Sequence, residues 1–312
     1  MKTLLIFIFT GLLLCSCNQL QNNPEANTVL IDTLQGTSLL QTPLIRRQVN
    51  PQADTLQIQN YILALNTYAT DKDLADNIVW LGRRTAYLGD YKKAIDIYTE
   101  GIEKFPKEPR FYRHRGHRYI STRQLDKAIS DFEFATTLIE GRKDIIEPDG
   151  IPNRLNTPVS SLHTNIWYHL GLAYYLKGDL KNSLAAFQKC LSASRNDDML
   201  VATSHWLYMI LRLMESPEEA MKILEPIHKD MNIIENMAYH KLLLFYKGDL
   251  SEKEFAGNES LGSSEAVQYG IANWYYYNGD REKAKSIFEA LIETGNWAGF
   301  GFIAAEAHLS SE

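Results

Sequence analysis

Arg110, Arg113, His114 and His117 lie close together in the chain, and His169 and His205 follow, with Asp149 between them. Imidazoles and a carboxylate are zinc ligands, and histidine also serves as a general acid or base. Arginine offers a rigid fork to a carboxylate or phosphate, and Trp80, Tyr168 and Trp206 supply stacking area at little entropic cost. The mixture suits an anionic ligand. The patterns that would make a catalytic or metal reading specific are missing from the sequence: no HExxH, paired cysteines, phosphate loop or nucleophile in a recognisable setting. No catalytic residue, metal site or cofactor is therefore assigned, and catalysis ranks behind binding. Each of these side chains has a bland reading as well, because Trp and His at helical spacing also fill cores.

The elements that must position them begin with an export signal. Lys2 supplies a positive charge, and Leu4 to Leu14 form an apolar run broken only by Thr10 and Gly11. That run is shorter than the roughly 20 residues a membrane-spanning helix needs and has the length of a secretory signal core. Leu14-Cys15-Ser16-Cys17 follows and resembles the bacterial lipobox, with residues 1–16 as the signal peptide and Cys17 as the lipid-bearing first residue of the mature chain. Cys15 fits poorly, because the bulky Leu14 precedes it. With Asn18 next and no Asp there, the sorting rules this motif implies favour the outer membrane of a bacterial cell envelope. The lipid is then the only membrane contact. Cleavage and lipidation leave Cys190 alone, so no intramolecular disulfide is expected, and its helical setting suggests a small buried filler. Residues 17–52 read as a flexible tether: polar around Gln19 to Pro24, then interrupted by Pro43 and Pro51.

The body of the chain repeats. Trp167, Leu170, Gly171 and Tyr174, then Ser183, Phe187 and Cys190, fall in one pattern; Leu81-Gly82, Ala94, Tyr98, Gly101 and Pro106 form another such unit. A shift of 34 residues from the latter gives Arg115-Gly116, Ala128, Phe132 and Ala135. This spacing resembles the tetratricopeptide repeat. Gly89-Asp90, Gly178-Asp179, Gly248-Asp249 and Gly279-Asp280 recur as turns, with Gly ending one helix and Asp capping the next. Six helix pairs are expected at 75–106, 109–141, 164–196, 201–231, 234–258 and 265–296. A front cap lies near 53–69 and a back cap over Trp297 to Leu309. The resemblance implies an all-α fold over 53–312, a right-handed superhelix of stacked helix pairs with capping helices.

It also implies where a groove lies. The first helix of each pair lines the concave face, and the groove-facing positions fall on Trp80, Arg83, Arg110, Arg113, His114, His117, Asn165, Tyr168, His169, His205 and Trp206. Between the second and third units the register slips over residues 143–163. There Glu147-Pro148-Asp149-Gly150-Ile151-Pro152-Asn153 dictates turns, so an ordered loop is expected, with Asp149 and Asn153 as candidate contacts. Three functions compete: a scaffold or adaptor for a protein or peptide, a metal or catalytic site on the histidines, and a receptor for a small molecule such as a glycan. The net charge of −6 gives no global basic field, so nucleic acid is not an expected partner.

Overall fold

The computed structural model describes residues 33–251, 254 and 265–311. The signal peptide, Cys17 and the second helix expected for the fifth pair fall largely outside them. Thirteen helices follow a short hairpin among the described residues. The front cap is α1 (Thr55–Thr70), and three regular pairs come next: α2 (Ala75–Tyr87) with α3 (Tyr91–Lys104), α4 (Pro109–Ser121) with α5 (Leu125–Ile139), and α6 (Leu162–Leu176) with α7 (Leu180–Ala193). A degenerate stretch contains α8 (Asp197–Leu213), the short α9 (Pro217–Leu224) and α10 (Met237–Lys247). The last pair is α11 (Glu265–Tyr277) with α12 (Arg281–Glu293), and α13 (Phe300–Ser310) ends the chain on both of them. Each described helix packs on the described helices before and after it, as a solenoid requires.

One small-and-aromatic couple recurs in the second helices. Ala94/Tyr98, Ala128/Phe132, Ser183/Phe187 and Ala284/Phe288 are all buried, which extends the register to the last pair. The ring must lie against the first helix, and a glycine there lets it. A β-carbon on Gly116 would stand 2.9 Å from the Phe132 ring, and one on Gly171 would stand 2.6 Å from that of Phe187. At the turns, Gly89, Gly178 and Gly279 are left-handed, while Asp90, Asp179 and Asp280 accept from the backbone N–H three residues on. Arg123 and Glu215 keep the same left-handed turn without glycine.

Residues 34–50 do not form a tether. β1 (Leu34–Thr37) pairs antiparallel with β2 (Pro43–Ile45) in register Leu34 with Ile45 and Thr37 with Pro43. Two strands alone are marginal in water, but this hairpin is fixed to the solenoid. Leu44 is buried, Gln35 accepts from the Lys92 N–H, and Arg46 donates to the Leu88 carbonyl and pairs with Asp90 at 3.0 Å. Its turn reaches the far end of the chain: the Leu39 N–H donates to Glu306 on α13, and Trp297 donates to the Ile45 carbonyl.

Candidate functional site

Residues 140–161 connect α5 to α6 without helix, and they fold back over the first helices of the early pairs. The base is pinched shut by the bridge of Ile146 to Ser161 and by the Glu147 N–H donating to the Ser160 carbonyl. Ser161 then starts α6 with a reciprocal capping box to Thr164. Beyond the base, Pro148 and Gly150 present their carbonyls to Arg83 at 2.8 Å and Arg84 at 2.6 Å, and Asn153 donates to Glu235 before α10. Gly150 lies on the Tyr87 ring so closely that a β-carbon would overlap its hydroxyl. The segment is a strap held at both ends.

Under it sits the arginine and histidine cluster. Glu147 is buried, with its carboxylate 3.1 Å from Arg113 Nε and 3.5 Å from His114 Nε2, and it accepts from Asn165 at 2.5 Å. Arg113 also donates to His114 Nδ1 at 2.8 Å, which leaves the proton of the neutral ring on Nε2, facing the carboxylate. Burial and the adjacent Arg113 hold the His114 pKa well below the histidine range, so its ring stays neutral. Burial lowers the Arg113 pKa too, opposed by Glu147. A polar cavity of about 340 Å³ remains between strap and helices, lined by Arg83, Tyr87, Arg113, Asp149, Asn165 and Glu235 among others. Burial raises the carboxyl pKa of both Asp149 and Glu235.

The remaining expected groove residues divide. Trp80 is half-buried, with the Arg83 and Arg84 guanidinium groups 4.4 and 4.9 Å from its ring, beside a smaller hollow lined by Leu63 and Ala64. Arg110 is committed within the fold, gripping Glu108 and pairing with Asp76 across the first two repeats. His117 and His169 face each other at 4.4 Å and are covered by Phe300 of α13, while the Nδ1–H of His169 donates to the Asn165 carbonyl. Tyr168, His205 and Trp206 belong to the core and not to an open groove. Trp206 donates to the Tyr168 hydroxyl at 2.6 Å, and His205 stacks on Tyr239 and Tyr246. They are covered because α10 and α11 pack against α8. The four histidines thus serve three separate contacts, and among the described residues no three His, Cys, Asp or Glu side chains form a group able to hold a metal. Cys190 is a buried filler beside Thr203, its thiol pushed up to about 12 by desolvation.

Sequence reasoning did not assign Arg84, Tyr87, Glu147 or Glu235 to the site. Arg84 and Tyr87 share a helix with Trp80, but only the strap shows which side they face. Glu147 stood in the noticed turn-rich run, yet nothing local links it to Arg113.

The 34-residue spacing, the aromatic-on-glycine packing and the glycine–aspartate turns are those of tetratricopeptide repeats. Family models described as tetratricopeptide repeat match residues 164–197 and 266–294. The chain is a tetratricopeptide-repeat protein, and its solenoid is of the class that serves as a scaffold for protein or peptide partners. It is 23% identical over 193 residues to the heat-shock protein cognate co-chaperone sgt12 of Aspergillus fumigatus, covering 58% of this chain and 49% of the fungal protein. It is 26% identical over 145 residues to the BBSome complex member BBS4 of Bos taurus, covering 46% of this chain and 24% of that one. The chain thus spans half or less of the length of these relatives. Among solved structures, it is similar to pilF of Pseudomonas aeruginosa with a TM-score of 0.49 and 15% identity, over 71% of this chain and 92% of that one. The peptide-binding repeat protein YrrB gives a TM-score of 0.42 and 16% identity, over 74% and 91% respectively.

Proposed function

We propose that the protein is an adaptor of the bacterial cell envelope, held at the outer membrane by lipid on Cys17, that captures a protein or peptide through the face around Trp80 and Arg83. The observation that carries this reading is the half-buried Trp80, stacked by two guanidinium groups at the edge of the strapped site. Tryptophan and arginine dominate the energetic centres of protein interfaces, and here they are partly open instead of spent on the core. The names of the relatives, a co-chaperone and a complex member, support a protein as the partner. No described helix is long and apolar enough to cross a membrane.

The test is cross-linked capture from native envelopes with wild type, Arg83→Glu, Cys17→Ser and Lys189→Glu, the last on an exposed outer position. The expected result is a partner retained by Lys189→Glu and lost with Arg83→Glu, while Cys17→Ser moves the protein out of the membrane fraction. Equal capture by wild type and Arg83→Glu would place the interface elsewhere. A membrane-bound Cys17→Ser protein would remove the anchor.

A further inference from the structure

The strap leaves Ile146, Ile151 and Leu155 more than half exposed, while Glu147 is buried and the Pro148 and Gly150 carbonyls meet arginines of the solenoid. It is held by one carboxylate, from Glu147, and by the carbonyls of Pro148 and Gly150, which meet Arg113, Arg83 and Arg84 in turn. That set of contacts reads a carboxylate followed by backbone carbonyls, with Asn153 adding a side-chain contact to Glu235. The contact is not fully satisfied. Beneath the strap, Arg113 Nε and His114 Nε2 are buried and, although close to Glu147, lie outside hydrogen-bonding geometry, and on the strap Asp149 Oδ2 has no hydrogen-bond partner. A segment evolved only to close a repeat boundary would more economically turn its isoleucines inward.

We propose that the strap is a displaceable resident ligand, and that the surface beneath it accepts an extended acidic, proline-bearing segment of a partner polypeptide in its place. This rests on the adaptor reading and names the chemistry of its partner. Pro148 and Pro152 stiffen the resident segment, and a tethered ligand acts at an effective concentration in the millimolar range. The closed form is therefore the default, and a partner must bind the exposed arginines better than Glu147 does. Displacement would also free Ile151 and Leu155 to turn onto the arriving chain.

A labelled peptide with the sequence of residues 144–154 tests this without knowledge of the natural partner. It is titrated into wild type and into a variant whose residues 147–159 are replaced by a glycine–serine linker of equal length. Saturable binding to the linker variant is expected, about tenfold or more weaker to wild type, where the tethered strap competes. A peptide carrying Gln at the position of Glu147 should lose that binding. A folded linker variant that ignores the peptide, or binds both peptides alike, would falsify the proposal. If the linker variant does not fold, hydrogen exchange on full-length Glu147→Gln decides. Release of 148–157 alone supports displacement, whereas loss of protection throughout α4 and α6, or no change, overturns it. The two failures are separable: capture lost with Arg83→Glu beside a folded linker variant that ignores the peptide overturns displacement alone, whereas peptide binding without any Arg83-dependent capture overturns the adaptor reading.

Discussion

His205 shows how a side chain type can be read correctly and its task missed. Its position suggested a groove, yet α10 and α11 cover α8, and the ring ends stacked between Tyr239 and Tyr246 with Nδ1 unpartnered. Burial pushes its pKa down to about 3, and that of His169 to about 3 as well. The unfolded chain binds the proton near pH 6.5 and the folded chain does not, so stability is complete above that pH and falls as pH drops toward 3. Each ring should cost about 2 kcal/mol between neutrality and pH 5. His205→Phe keeps the stacking and removes one titrating group. Urea midpoints at pH 7 and pH 5 should show little change at neutrality and a shallower acid loss; an unchanged acid loss would show that the ring is protonated in the fold. The sequence could not separate groove from core here because α8 is buried on nearly all sides, its polar Thr203, Ser204 and His205 included, so polarity marks no outward face on it.

Among elements, the turns were the most legible, since left-handed glycine and capping aspartate are local chemistry. Two turns depart from this, at Glu215 and, from α4 to α5, at Arg123, which takes φ +63. A non-glycine residue in that region costs about 1 kcal/mol, and the surrounding contacts hold it there. Arg123 is buried, pairs with Glu306 at 2.7 Å, and donates to the carbonyls of Ser121 and Trp297. Removing one partner of a buried pair costs about 3–5 kcal/mol, because a charge is left stranded. Glu306→Gln and Arg123→Gly should therefore each destabilise strongly. The double variant, which strands neither charge, should be more stable than the sum predicts by about 2 kcal/mol. Additive denaturation energies would mean that the pair does not hold the turn. The hairpin at 34–45 escaped notice for a related reason. Its strands are three and four residues long, too short for a periodic signal, and they exist only because a preformed solenoid accepts them.

At the scale of the molecule, the helix pairs were readable because a repeat announces itself every 34 residues, whereas the way the chain returns on itself leaves no local trace. Leu39 and Glu306 are 267 residues apart, Ile45 and Trp297 are 252, and Arg123 and Glu306 are 183. An open solenoid transmits a perturbation only through successive neighbours, so its effect fades repeat by repeat. Here the tryptophan before α13 touches Tyr91 edge-on, accepts from Arg123 through its carbonyl and donates to the Ile45 carbonyl, which joins the last described helix directly to the hairpin. Trp297→Ala should therefore loosen the hairpin before it loosens intervening α7. The measurement is native-state hydrogen exchange, with amides of residues 36–46 expected to exchange about tenfold faster, equivalent to about 1.4 kcal/mol of local opening. Amides of α7 should keep their protection. If protection instead declines steadily from α12 back through α7 and leaves the hairpin untouched, the solenoid behaves as an open stack and the contacts between its ends contribute no stability.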